Sequence, residues 1–167
     1  PALTPDVGRA TVPAEWAEDR SGAGGRARGG ARVIDVIGRR TLGGVLAHHA
    51  ATAPDRPFLT FEDADGTATT WTYAAFDGVV NRTAAALAGL GMVAGVAFCV
   101  HLPNRPEFLA LWFAAARLGA IMTPTNVALT ADELAYIVDH SESRLLVTDA
   151  ARLPTAAAVR ARCPLVR

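Results

Sequence analysis

The stretch from Gly89 to Asn126, GLGMVAGVAFCVHLPNRPEFLALWFAAARLGAIMTPTN, constrains the fold more than any other part of the chain, because it reads as strand, turn, helix and strand in immediate succession. Phe98 to Leu102 is an apolar run rich in strand formers, too short for a helix and bounded by Gly95 and by Pro103-Asn104. Asn104 is placed to cap the next helix, with Pro106 in the first turn and Glu107 three residues on, an Asn-x-x-Glu variant of the capping box. Phe108, Leu111, Trp112, Ala115 and Leu118 recur at steps of three and four and mark the predicted buried stripe, while Gly119 stands where a helix end favours a left-handed residue. A second strand, Ala120 to Pro124, follows at once. Two strands joined by a helix run parallel and cross over right-handed, which puts Asn104 and Asn126 at the carboxyl edge of the sheet, where open α/β sheets bind ligands.

The same rhythm extends in both directions. Thr130-x-x-Glu133 is a full capping box that predicts a helix with Leu134, Ile137 and Val138 on one face, and Arg144 to Thr148 is the next strand. After Thr155 an Ala-rich helix runs to about Arg162, Cys163-Pro164 breaks it, and Leu165-Val166 begins a further apolar run, an expected strand within which the sequence stops. Upstream, a helix carrying Leu42, Val45 and Leu46 is predicted over Thr41 to Ala53. Phe58 to Glu62 and Thr69 to Tyr73 then flank the hairpin signal Asp63-Ala64-Asp65-Gly66. Tyr73 to Leu90 is a longer helix with Phe76, Val80, Thr83, Leu87 and Leu90 inward. The expected architecture is a three-layer α/β fold, an open, mostly parallel sheet with flanking helices, plus a small N-terminal β-hairpin. It occupies residues 33–167 and is expected to be truncated at its C-terminal end. Residues 1–32 contain SGAGGRARGGAR and are expected to form a flexible Gly/Arg extension, apart from a single helical turn starting at Pro13 and carrying Trp16.

Composition excludes several function classes. The formal net charge is zero and no basic stripe is interleaved with aromatics, so nucleic acid has little electrostatic footing. No apolar run approaches a membrane span, and the N-terminus lacks a signal-peptide apolar segment, so a cytoplasmic location is expected. Cys99 falls in a predicted buried strand and Cys163 beside a helix end, with no Cys-x-x-Cys pair, and both read as small core residues rather than disulfide or metal ligands. All 16 basic residues are arginines. A P-loop, Schiff-base or electrophilic lysine therefore has no counterpart in these residues.

The candidate motifs are weaker than the architecture. Gly89-x-Gly91-x-x-Ala94 imitates a dinucleotide fingerprint, but a helix precedes it and a strand follows, the reverse of what places pyrophosphate on a helix N-terminus. Gly22-x-Gly24 has no preceding strand and reads as linker. His48 and His49 are adjacent on a helix and diverge, which makes a poor metal pair. His101 shares a strand face with Cys99 but has no third ligand at suitable spacing and reads as a satisfied core histidine. His140 suits the end of its helix, and Ser141 and Ser143 lack a Gly-x-Ser-x-Gly elbow. Asp63 with Asp65 is explained by turn chemistry, and Asp132 with Glu133 by first-turn helix charge. The residues alone yield no catalytic constellation, only a ligand edge at Asn104 and Asn126.

From about Val33 to Asp149 the sequence resembles the N-terminal region of the AMP-forming acyl-CoA synthetases, within the adenylate-forming superfamily. The phrases that carry the likeness are TLGGVLAHHAATAPDRPFLTFED, WTYAAF, VNRTAAALAGLG, HLPNRPEFLALWFAAARLGAIMTPTN and LTADELAYIVDHSESRLLVTD. Within the family, NRTA, HLPNRPEF and GAIMTPTN are most similar to the carnitine-CoA or crotonobetaine-CoA ligase branch. The resemblance implies an enzyme that joins a carboxylate to ATP as an acyl-adenylate and passes the acyl group to coenzyme A, with ATP, Mg and coenzyme A as cofactors. It implies a carboxylic acid substrate, with the missing C-terminal part of the same protein or a complementing subunit as partner, and admits a homodimer. The family's lysine-bearing phosphate loop and its second lysine have no counterpart here, so the chain alone is expected to be inactive and to hold none of the catalytic residues. Two alternatives accompany this reading: a non-catalytic binding module within a split enzyme, and an adenylation domain that loads a carrier-protein thiol. Asn104 and Asn126 are expected to border the acyl or pantetheine channel. Gly95-Val96-Ala97 departs from the Gly-Asp-Arg or Gly-Asp-Lys usual in the family at that turn.

Overall fold

The computed structural model of the chain describes residues 41–166. The Gly/Arg extension, the helical turn at Pro13 with Trp16 and the Gly22-x-Gly24 linker all lie outside the described residues, as do residues 33–40 of the expected domain.

Thr41 caps α1 (Leu42–Thr52) by accepting from the Gly44 amide at 3.0 Å. Strands β1 (Pro57–Glu62) and β2 (Ala68–Thr72) pair antiparallel around the predicted turn, in which Gly66 takes φ 83° and Asp65 Oδ1 accepts from the Thr67 amide. Thr72 then caps α2 (Tyr73–Gly89). The parallel unit is built from β3 (Ala97–His101), α3 (Pro106–Leu118), β4 (Ile121–Pro124), α4 (Ala131–His140) and β5 (Leu146–Thr148). A 3-10 turn at Ala150–Arg152 leads into α5 (Leu153–Arg160). The strand order is β4-β3-β5 with both pairs parallel, so β3 is central and every one of its residues is buried.

Alternation along β3 sorts the core into two layers. Phe98 and Val100 pack with Leu46, Phe76, Val80, Leu87 and Leu111 of the first three helices, whereas Cys99 packs with Leu134, Val138, Val159, Cys163 and Val166 on the α4 and α5 side. The predicted three-layer arrangement is present, with the hairpin as a separate two-stranded sheet.

Several local expectations are corrected. Asn104 does not cap α3: the N-cap is Arg105, extended at φ −159° and ψ 161°, with no side-chain cap bond. The cause is Pro106, which disfavours helical backbone in the residue before it and itself takes the first helical position. The start of the helix slips by one residue, and Glu107 turns back to Arg105. On α3 the buried residues are Ala110, Leu111, Ala114 and Ala115, while Trp112 is 51% exposed. Leu90 ends α2 on the surface, not in the core, because it serves as the C-cap. Leu165 lies in a turn and Val166 packs under α5, so neither forms the expected strand. Val96, in the turn that departs from the family pattern, is partly buried against the first core layer, and that packing suits an apolar residue. Gly95 beside it takes φ 78° and donates to Gly119 O at 2.9 Å.

Candidate ligand-binding edge

The carboxyl ends of β3, β4 and β5 deliver three exits to one side of the sheet: Leu102 to Arg105, Thr125 to Leu129, and Asp149. Two grooves lie there on either side of the β3 exit. The first, about 530 Å³, is lined by Leu102, Pro103, Asn104, Phe108, Thr125 and Asn126 among others, and its lining carries no charged side chain. Asn104 and Asn126 thus meet in one groove. Asn126 Oδ1 accepts from the Ala128 amide at 2.9 Å, an Asx turn that fixes the loop and leaves the side-chain NH₂ as the amide's remaining donor group.

The second groove, about 380 Å³, has an apolar floor that includes Leu102, Leu111 and Val147, and a polar rim of Arg105, Glu107, Thr148 and Asp149. Arg105 forks onto Glu107, with Nε to Oε2 at 2.7 Å and Nη2 to Oε1 at 2.9 Å. That hydrogen-bonded guanidinium holds the Glu107 carboxyl below its ordinary value, against the opposing effect of partial burial. Asp149 accepts from Arg152 Nη1 at 2.6 Å through Oδ2, and the bond to Arg152 lowers its carboxyl likewise. Its Oδ1 is the one buried side-chain polar atom without a hydrogen-bond partner among the described residues. A third groove, about 520 Å³, separates the hairpin residues Phe61 and Trp71 from Asn104, Arg105 and Glu107.

His101 ties the exits together. It is 1% exposed, its Nδ1 lies 3.0 Å from Thr125 Oγ1, and its carbonyl accepts from Thr148 Oγ1 at 3.0 Å. Burial, then the charge of Arg152, pushes its imidazole below the ordinary histidine value, with Asp149 opposing. Cys99 on the same face lies 3.9 Å from Thr125 Oγ1, and burial raises its thiol to about 11. It is a protonated core residue, not a nucleophile. Cys163 is buried too, with its Sγ directed to Ala135 O.

The other candidates stay dispersed. His49 packs on Tyr73 with ring centroids 5.0 Å apart, and His140 stacks on the exposed Tyr136 at 5.6 Å. Ser141 and Ser143 hydrogen-bond each other at 2.7 Å. The Gly89 to Ala94 segment is a turn from helix to strand, with Gly91 at φ 82°. Among the described residues no three His, Cys, Asp or Glu side chains come together as a metal site. Arg105, Thr125, Thr148, Asp149 and Arg152, which also line or brace this edge, belong to no motif in the sequence. The usable signal was position, since Thr125 and Thr148-Asp149 end strands at the same edge as the two asparagines.

The described residues thus form a parallel sheet covered by helices on both faces, with grooves at its carboxyl edge. Residues 46–166 match the family described as AMP-binding enzyme, and the chain belongs to that family. The crotonobetaine/carnitine–CoA ligase of Salmonella typhimurium is 36% identical over 121 residues, which cover 72% of this chain and 23% of that relative. The same enzyme of Salmonella enteritidis PT4 is 36% identical over 115 residues, or 69% of this chain and 22% of the relative. The chain thus spans about a quarter of the length of the curated relatives it matches. In structure it is similar to the N-terminal domain of FACL13 from Mycobacterium tuberculosis, with TM-score 0.69, 30% identity, and 76% of this chain and 32% of that one covered. It is also similar to acetoacetyl-CoA synthetase from Streptomyces lividans, with TM-score 0.70, 25% identity, and 76% and 21% covered.

Proposed function

We propose that these residues are the N-terminal portion of an ATP-dependent, AMP-forming acyl-CoA ligase that activates a carboxylic acid as its acyl-adenylate and transfers the acyl group to coenzyme A. The observation that carries the reading is the family match over residues 46–166, together with curated relatives that are CoA ligases. Within it, Asn104 and Asn126 border the acyl or pantetheine channel. A groove with no charged lining, to which Asn104 and Asn126 bring amide side chains and Phe108 an aromatic one, suits a neutral, amide-bearing chain better than a phosphate.

The described residues do not fit a nucleoside triphosphate or its cation. The glycine turn runs from helix to strand, and the 16 basic residues of the sequence include no lysine. ATP, Mg and the nucleotide end of coenzyme A are accordingly assigned to a longer polypeptide or to a complementing subunit. The proposed location is the cytoplasm; no helix among the described residues is long and apolar enough to cross a membrane.

Exchange of labelled pyrophosphate into ATP, driven by a panel of carboxylic acids, tests the proposal. The 167-residue chain is expected to show none, and the longer polypeptide that contains it is expected to exchange and to form an acyl-CoA thioester. A longer polypeptide that folds yet exchanges with no acid would refute the ligase reading, and acyl transfer to a carrier-protein thiol alone would shift it to a carrier-loading enzyme.

A further inference from the structure

The hydrogen bonds around Thr125 assign a proton. Its hydroxyl has one hydrogen and two lone pairs. It lies 3.1 Å from Val100 O, 3.0 Å from His101 Nδ1 and 3.9 Å from Cys99 Sγ. A carbonyl can only accept, so the contact with Val100 O is a hydrogen bond only when the Thr125 hydrogen points there, which leaves the lone pairs for donors. In the arrangement that makes every contact a hydrogen bond, Cys99 donates its thiol hydrogen and His101 donates from Nδ1. The Thr125 amide also bonds Val100 O at 3.0 Å, so backbone and side chain of this residue are fastened to β3 together. The next residue is Asn126, whose Asx turn to Ala128 shapes the groove wall.

We propose that His101 is a positioning residue: held as the Nδ1–H tautomer, it clamps the Thr125–Asn126 turn through Thr125 Oγ1 and so sets the wall of the asparagine-lined groove. This rests on the reading above that the groove carries substrate. The carbonyl of His101 also receives Thr148, so the ring and its own backbone fasten the exits of both neighbouring strands. The charged groups that act on the ring are Arg152 and Asp149, and Cys99 is the titratable neighbour that shares Thr125 with it. Protonation would add a hydrogen at Nε2 and leave Nδ1–H in place, so acid does not release the clamp.

The test uses the longer polypeptide, labelled with ¹⁵N-histidine. The His101 signal, identified by its loss in His101→Asn, is expected to show a protonated Nδ1 and a bare Nε2 at neutral pH, and a bare Nδ1 overturns the proposal. Hydrogen exchange at the Ala128 amide reads the turn without any need for activity. It is expected to quicken roughly tenfold in His101→Leu and in Thr125→Val, the size of one net hydrogen bond. His101→Asn, whose amide can donate from near the Nδ1 position, is expected to restore wild-type exchange, and His101→Gln is not. Unchanged exchange in folded Thr125→Val overturns the clamp. In the ligase assay His101→Leu is expected to raise KM for acid or coenzyme A with kcat little changed, and an unchanged KM alongside faster exchange overturns the link to substrate. If wild-type protein forms no thioester, the ligase reading fails while tautomer and exchange still decide the clamp.

Discussion

Thr130 and Asn104 each precede a helix with a glutamate three residues on, and only one of them caps it. Thr130 receives the Glu133 amide while Glu133 reaches back to the Thr130 amide at 2.8 Å, the reciprocal pair that the motif describes. Asn104 has the same spacing but stands before Arg105-Pro106, and the proline moves the start of its helix. Thr130→Ala is therefore expected to cost about 1 kcal/mol in urea unfolding, and Asn104→Ala to stay within about 0.5 kcal/mol. Equal costs would mean that Asn104 does act as a cap. The lesson generalises to the site: residue types were legible in the sequence, whereas a single fixed φ decided which neighbour did the work.

Helix α3 shows what periodicity could and could not supply at the scale of an element. Its sequence, PEFLALWFAAARL, is apolar almost all round, so the stripe has no sharp phase. Close approach to α1 and α2 selects the small face with Ala110 and Ala114 and turns Trp112 outward. Gly43 of α1 shows how near that approach is, since a Cβ there would sit 3.5 Å from the Arg117 backbone. The same Arg117 reaches α2, bonding Asn81 and meeting Asp77 Oδ1 at 2.6 Å with both charged side chains mostly buried. Arg117→Met is expected to destabilise by about 1–3 kcal/mol, because a shielded carboxylate loses its partner. Arg162→Met, which removes the exposed pair with Asp132, is expected to change the denaturation midpoint little. A reversed order would refute the assignment of Arg117 as the link between α2 and α3. Strands and helix order could be read from pattern because each element repeats a simple period. The grooves could not, because they arise where loops distant in sequence converge.

At the scale of the whole molecule, three titrations reinforce one another on acidification. His101 is depressed by burial, and Asp149 and Glu107 are depressed by arginine hydrogen bonds. For each, the unfolded chain takes up its proton at a higher pH than the folded chain, so the associated stability is complete above the unfolded pKa and is lost on acidification. The loss is expected to begin as pH falls through the ordinary histidine range and to continue through the carboxylate range. The melting temperature should thus decline from neutral pH downward, with the upper part of the decline absent in His101→Asn. A melting temperature that rises between pH 7 and pH 5 would contradict this.

Between the grooves runs a partition of four residues, Pro103-Asn104-Arg105-Pro106, whose backbone is pinned by a proline at each end and whose Arg105 is forked onto Glu107. Such a wall has little conformational freedom left to surrender, so a ligand seated against it binds to a shape that already exists. In calorimetric terms, loosening the wall with Pro103→Gly would weaken binding chiefly through entropy, with the heat of the contacts themselves preserved.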